Sequence, residues 1–382
     1  MTPKLVSRLP EVGLTVFTVM SQLAVQHKAI NLGQGFPDFE CDPRLPALVT
    51  EAMRAGHNQY APMTGLPALR EAIAAKVAAS YGHAYDAERE VTVTAGATQA
   101  LLTAILAAVH PGDEVIVLEP TYDSYVPAIR LAGGIPVPVQ LRPGDYGVPW
   151  DKVRNAITPR TRMIALNSPH NPSGAVFSSA DLDALEAMVK GTNILLLSDE
   201  VYEHIIFDGR EHQSMARRPA LAERSFVVSS FGKTFHVTGW KIGYCCAPVD
   251  LSTEFRKVHQ FNVFAVSHPM QWALAQYLKD PTPSLNLPAF YQAKRDRFRA
   301  GLKTSRFRLL DCAGTYFQVV DYSAISDETE EEFARRLTVD VGVAAIPLSA
   351  FYLQPVERKV VRFCFAKKEE TLDRALEKLI KI

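Results

Sequence analysis

Apolar residues in the middle of the chain fall in short, near-continuous runs separated by helix-like stretches. Glu90 to Thr94, Glu114 to Leu118, Met163 to Leu166, Ile194 to Leu197, Phe226 to Val228 and Ile242 to Cys246 each read as a strand. Strands that are apolar at every position, rather than at alternate ones, are covered on both faces, which is the habit of mainly parallel sheets. Between the first two runs, Ala97 to Val109 is rich in alanine and leucine and reads as a helix, closed by the turn Pro111-Gly112-Asp113. The pattern predicts an α/β unit.

The pattern changes near Asp280. Pro281, Pro283 and Pro288 punctuate the chain, and a charged helix is expected over Phe290 to Lys303. The runs Tyr316 to Val320 and Val360 to Phe365 then suggest a smaller α+β unit. The first 44 or so residues do not follow the α/β rhythm and are expected to pack with the C-terminal unit. The expected division is residues 1–44, 45–280 and 281–382. No internal repeat or low-complexity segment interrupts it.

Composition narrows the class. A chain of 382 residues, 47% hydrophobic, can bury a large core, and its 41 basic residues balance 41 acidic ones. Zero formal charge argues against a general nucleic-acid or membrane-surface role. The five cysteines, Cys41, Cys245, Cys246, Cys312 and Cys364, are scattered without a CxxC pair, so neither a disulfide framework nor a zinc site is expected. No apolar run approaches the roughly 20 residues of a membrane span. Met1 to Pro10 lacks the apolar core of a secretory signal. A cytoplasmic setting is expected.

In parallel α/β sheets, ligands bind beyond the C-terminal ends of the strands. Five distinctive segments follow strands here, so they should share one rim. Ser229-Ser230-Phe231-Gly232-Lys233-Thr234 is the most telling. A strand that delivers a lysine into a small-residue turn places an ammonium where burial lowers its pKa, which suits a Schiff-base nucleophile towards an aldehyde. Gly96-Ala97-Thr98 opens a helix and can bind phosphate, or act as an ordinary cap. Tyr122 can stack on a flat ring or simply pack. Asn171, in the rigid loop Asn167 to Gly174, is held to donate its amide. Asp199 closes an apolar strand and needs a partner such as a protonated pyridine nitrogen, unless it caps a helix. Tyr202 shares its face if the turn is helical. Ser230 and Lys241 can hold phosphate, although Lys241 alone reads equally as a solvated lysine. Arg362, in an apolar strand, calls for a planar anion: a bound carboxylate or a buried ion-pair partner.

Taken together, these residues resemble the class I, fold type I aminotransferases that use pyridoxal 5'-phosphate. The resemblance extends over essentially the whole chain. It implies a large domain with a mainly parallel sheet between helices, plus a smaller α+β domain. It also implies that Lys233 is the Schiff-base lysine and that Asp199 pairs with the pyridine nitrogen. Tyr202 and Asn171 would bond the phenolic oxygen, and Tyr122 would stack on the ring. Gly96, Ala97, Thr98, Ser230 and Lys241 would hold the phosphate, with Lys241 standing where many relatives carry arginine. Arg362 would clamp the substrate α-carboxylate.

Asn31-Leu32-Gly33-Gln34-Gly35-Phe36-Pro37-Asp38-Phe39 and Asn58-Gln59-Tyr60-Ala61-Pro62 are similar to the kynurenine aminotransferase and glutamine transaminase K branch, and most of all to its bacterial methionine aminotransferases. In that branch Gly35 contributes to the substrate site. Tyr60 reaches the neighbouring subunit's cofactor, implying a homodimer. Phe17 and Phe264 match aromatic pocket positions, and Phe17 stands where kynurenine-type relatives often carry tryptophan. The resemblance therefore implies ping-pong transamination of methionine and aromatic amino acids, with glutamine or kynurenine as further candidates. A cysteine S-conjugate β-lyase and a non-enzymatic regulatory protein are the other two readings of the same fold.

Overall fold

The computed structural model describes residues 5–354 and 356–382; residues 1–4 of the expected N-terminal segment lie outside them. Seven strands form the central sheet: β1 (Val91–Thr94), β2 (Glu114–Glu119), β3 (Ile135–Gln140), β4 (Thr161–Asn167), β5 (Leu195–Asp199), β6 (Ser225–Ser230) and β7 (Gly243–Cys246). Their order is β1-β7-β6-β5-β4-β2-β3, and β7 alone runs antiparallel to its neighbours.

The near-continuous apolar runs are explained by the two-period of a strand. Val115, Val117, Met163, Ala165 and Cys245 enter one core, while Ile116, Leu118, Ile164, Leu166 and Cys246 enter the core on the opposite face. Each fully buried aliphatic side chain contributes about 1.5–3 kcal/mol. Both faces must therefore be apolar, and both are roofed by helices.

Strand β3 escaped the sequence reading because Pro136 and Pro138 interrupt it. It lies at the sheet edge, paired only with β2, where a missing N–H breaks no ladder. The C-terminal helix also begins earlier than expected, spanning Thr282–Leu302 rather than starting at Phe290. Pro283 falls in its first turn, where N–H groups have no intrahelical acceptor. Pro288 lies inside the helix, held by the inward stripe Leu287, Tyr291, Arg295, Phe298 and Leu302.

The C-terminal unit contains a four-stranded antiparallel sheet. Its strands are β8 (Arg308–Leu309), β9 (Phe317–Asp321), β10 (Ile346–Pro347) and β11 (Val360–Cys364), in the order β10-β11-β9-β8. The N-terminal helix Val16–Gln26 packs on this unit, and Ile30–Asn31 pairs in parallel with Val343–Ala344. By contrast, the helix Arg44–Arg54 packs on His268–Tyr277 beside the large sheet. Among the described residues, no helix is long and apolar enough to cross a membrane.

A polar knot is buried beneath the turn that follows β5. Glu203 accepts from Lys76 Nζ (2.5 Å), Tyr81 Oη (2.5 Å), Ser229 Oγ (2.6 Å) and Tyr244 Oη (2.9 Å). Burial opposes its ionisation, but Lys76, His204 and Ser229 outweigh burial and hold the carboxyl below its usual range. Removing one partner of a buried pair strands the other charge. Lys76→Met is therefore expected to cost roughly 3 kcal/mol in urea unfolding, whereas the exposed pair Lys257–Glu254 should contribute almost nothing when broken.

Candidate active site

Strands β1, β2, β4, β5 and β6 all end on one rim, and a cavity of about 230 Å³ opens there. Gly96, Ala97, Thr98, Tyr122, Asn171, Asp199, Tyr202, Ser230, Lys233 and Lys241 all line it.

One end of the cavity is built for an anion. Gly96 has φ 78° and precedes the helix Ala97–Ala108. A Cβ at Gly96 would meet Cε and Nζ of Lys241, each at 3.3 Å. Glycine thus lets the Lys241 ammonium lie over the helix N-terminus, where free N–H groups and the dipole favour negative charge. Lys241 itself adopts a left-handed conformation, φ 56°, and Ser230 and Thr98 add hydroxyls to the same wall.

The floor carries Asp199, at the end of β5. Its Oδ2 accepts from Tyr125 Oη (2.7 Å) and its Oδ1 from the Val201 N–H (3.3 Å). Burial nonetheless pushes its pKa up to about 6, because no cation is in ion-pair reach among the described residues. Tyr202, in the turn beyond, is buried and sits edge-on to Tyr316 with ring centroids 5.2 Å apart.

Lys233 projects from the short helical turn Phe231–Thr234. Its Nζ donates to the Gly35 carbonyl (3.1 Å) and lies 5.7 Å from the ring centroids of Tyr202 and Tyr316. Burial lowers its pKa to about 8, with Arg362 and Lys241 pushing the same way.

Arg362, from β11, reaches the cavity's edge through the lining residue Asn171. It is 1% exposed, and its Cζ lies 3.8 Å from the Phe317 ring centroid. Nη1 donates to Asn171 Oδ1 (2.6 Å) and Nη2 to the Gly33 carbonyl (3.0 Å), while Nε has no partner. A guanidinium only donates, so the bond fixes the Asn171 amide with its oxygen on Arg362 and leaves its NH2 for the cavity. Burial lowers the Arg362 pKa to about 10. Phe17 lies 5.4 Å from Arg362 Cζ. A Cβ on Gly35 would come within 2.7 Å of Phe317 Cζ, so that position has room only for glycine.

Tyr60 and Phe264 stand apart from this cavity. They are 81% and 45% exposed and pack edge-on to each other, centroids 5.4 Å apart. Several contacting residues were not singled out from sequence: Tyr125 on Asp199, Tyr316 on Gly35, Phe317 under Arg362 and Phe351 beside Phe17. For Tyr125, its place three residues after Tyr122 at a helix start was an available signal; the others depend on contacts between distant segments.

The donor set fits pyridoxal 5'-phosphate. A cradle at Gly96 suits the phosphate, the cation-free Asp199 suits the ring nitrogen, and Lys233 with its lowered pKa suits the aldehyde.

A family model described as aminotransferase class I and II matches residues 27–379. Methionine aminotransferase of Escherichia coli is 52% identical over 98% of this chain and 97% of the relative. The crystal structure of YbdL from Escherichia coli, reported with a methionine aminotransferase function, superposes with a TM-score of 0.97 at 51% identity and full coverage of both chains. A probable N-succinyldiaminopimelate aminotransferase of Mycobacterium tuberculosis is 42% identical over 98% of this chain and 97% of its own. The kynurenine–oxoglutarate transaminase of Dictyostelium discoideum is 35% identical over 97% and 94%.

Two outcomes follow from the buried charges. Only the neutral amine attacks an aldehyde, so capture of the cofactor by apoprotein should speed up with pH and level off above about 8, the Lys233 value; stopped-flow absorbance across the range checks this. Asp199 has a folded pKa of about 6 against an ordinary 3.8. The folded apoprotein thus holds a proton that the unfolded chain releases, and stability falls as pH rises between these values, by on the order of 3 kcal/mol in all. Asp199→Asn should therefore melt at or above the wild-type temperature at neutral pH without cofactor, yet lose about 10²-fold or more in turnover once loaded.

Proposed function

The chain belongs to the class I and II aminotransferases, whose cofactor is pyridoxal 5'-phosphate, and on that premise we propose that it moves the α-amino group of methionine and aromatic L-amino acids onto a 2-oxo acid. The observation that carries the donor reading is Arg362: a buried guanidinium with no acidic partner in reach among the described residues, ringed by Phe17, Phe317 and Phe351.

When bound, the cofactor supplies an electron sink for the pair left as the substrate Cα–H bond breaks. The chain's own groups do the rest. Lys233 Nζ would hold the cofactor aldehyde and, when not so engaged, would serve as the general base that takes the proton from substrate Cα. Asp199, held in place by the Tyr125 hydroxyl, would pair with the ring nitrogen and favour its protonated form. Tyr202 and the Asn171 amide would bond the phenolic oxygen, and Tyr122 would stack on the ring. Gly96, Ala97, Thr98, Ser230 and Lys241 would hold the phosphate. Arg362 orients the α-carboxylate, which aligns the Cα–H bond for removal.

Specificity follows from what surrounds Arg362. Aromatic faces suit a thioether, with sulfur–aromatic contacts adding to apolar burial, and they suit phenylalanine and tyrosine. The cations at the cavity among the described residues are Lys233 and Lys241 on its lining and Arg362 beside it on Asn171, so once Arg362 holds the α-carboxylate this reading leaves no second guanidinium for a distal one. The 52% identity to Escherichia coli methionine aminotransferase supports the same donor class. Glutamine and kynurenine are further donors in this reading. The exposed Tyr60–Phe264 pair is suited to contact with a second copy: Tyr60 would reach that neighbouring subunit's cofactor, while Gly35 and Phe264 would contribute to the substrate pocket. The working form is then a cytoplasmic homodimer.

A half-reaction panel tests the donor class. Methionine, phenylalanine and tyrosine should each bleach the visible cofactor band much faster than aspartate or alanine; the reverse order overturns the assignment. Initial rates with both substrates varied should give parallel double-reciprocal lines. Lys233→Ala should bind the cofactor without that band and lose about 10³-fold or more in turnover.

A further inference from the structure

Two segments from different parts of the fold meet beside the cavity. One leaves β2 and carries Glu119, Thr121 and Tyr122; the other is the strap Leu348–Gln354, which leaves β10 and carries Phe351. They are clamped at two points. The Thr121 N–H donates to the Phe351 carbonyl (2.7 Å), and the Leu353 N–H donates to Glu119 Oε1 (2.6 Å). At its root the strap is held by another buried carboxylate, since the Ser349 N–H donates to Glu330 Oε2 (2.6 Å).

Glu119 is an odd residue to find here. It is 3% exposed, and its side chain has the Leu353 N–H as its hydrogen-bond partner, with no cation in reach among the described residues. Burial raises its pKa and only the Leu353 N–H opposes this. A carboxyl buried without a cation is costly unless its acceptor is used. The use is visible on the far side of the strap, where the Phe351 ring packs edge-on to Phe17 (5.6 Å) and lies 5.2 Å from Arg362 Cζ.

We propose that Glu119 is a positioning residue for amino-donor binding: its oxygen latches the strap through the Leu353 N–H and so holds Phe351 against Phe17 and Arg362, walling the substrate side of the cavity. The inference rests on the reading of Arg362 as the carboxylate clamp. The same strap bridges the segment bearing Tyr122, which faces the cofactor, and the arginine that faces the substrate, so a loosened latch should weaken donor binding while leaving the cofactor seated. What the latch needs is an acceptor oxygen, not a charge, because the group it meets is a neutral backbone N–H.

The test compares cofactor-loaded wild type, Glu119→Ala and Glu119→Gln in the methionine half-reaction, read as apparent Kd and limiting rate. Amide hydrogen exchange over the strap is measured alongside. Glu119→Ala is expected to raise the apparent Kd about tenfold, with the limiting rate within about twofold and Leu353 exchange accelerated. Glu119→Gln keeps an acceptor and should stay within about twofold of wild type on both readings. An unchanged Kd in Glu119→Ala, or an equal loss in Glu119→Gln, overturns the proposal. If Glu119→Ala does not fold, Leu353→Pro removes the donor instead; Tyr352, at φ −118° and ψ 145°, already has the extended backbone a following proline requires. Leu353→Pro should raise Kd as Glu119→Ala would, and an unchanged Kd there also overturns the latch. Should wild type ignore methionine, the donor assignment falls, and the latch is judged with whichever amino acid wild type converts and by strap exchange.

Discussion

Burying charge without a counter-charge is the constraint on which this site depends. Arg362 and Asp199 are buried and Lys233 is half-buried, and none has an opposite charge within ion-pair distance among the described residues. Desolvation on that scale is expensive and is tolerated only where polar partners and ligands recover it. For Arg362 the recovery comes from the face of Phe317, the Gly33 carbonyl and the Asn171 oxygen, all neutral. For Lys233 it is a single carbonyl, and for Asp199 a phenol and one N–H. Neutral partners hold each side chain in place without cancelling its charge. The cavity is thus poised for a molecule with an aldehyde, a ring nitrogen that can carry a proton, and an anionic substrate.

The fold supplies that arrangement from three separate stretches of chain. The sheet rim brings Gly96, Tyr122, Asn171, Asp199 and Lys233 together because parallel strands end on one side. The C-terminal sheet brings Arg362, whose register opposite Val319 decides which face it occupies. Residues 33–36 lie between the two, giving the Gly33 carbonyl to Arg362 and the Gly35 carbonyl to both Lys233 and Tyr316. A Cβ at Gly35 would strike Phe317, so this joint between the lobes has no room for a larger residue.

The parts of this arrangement that could be read from sequence are those whose meaning is local. Strands such as Glu114–Glu119 were legible because both faces are buried, and the rim residues because each directly follows a strand. The edge strand Ile135–Gln140 was not, since prolines that rule out a central strand say nothing against an edge one. The helix start at Thr282 was hidden by the same residue type, acting in a first turn. Tyr316, Phe317 and Phe351 look like ordinary core aromatics in sequence. Their importance comes from contacts between segments hundreds of residues apart, such as Leu353 with Glu119, and no spacing rule reports these. Tyr60 is the converse case: the resemblance singles it out, yet it lies outside the cavity formed by its own chain.

This distribution has a consequence for how specificity can vary. The rim groups are tied to strand ends, where a one-residue slip would turn every side chain to the opposite face. Arg362 is bound by the same rule within β11. Neither can shift without dismantling a core. The rings beside Arg362 are different, because Phe17 sits on the N-terminal helix and Phe351 on a strap held by carboxylate–backbone hydrogen bonds. Such bonds fix a segment's path without specifying its side chains. Substitutions at the strap and at the N-terminal helix can therefore reshape the surroundings of Arg362, the proposed donor pocket, while the rim, and the charge burial it depends on, stay unchanged.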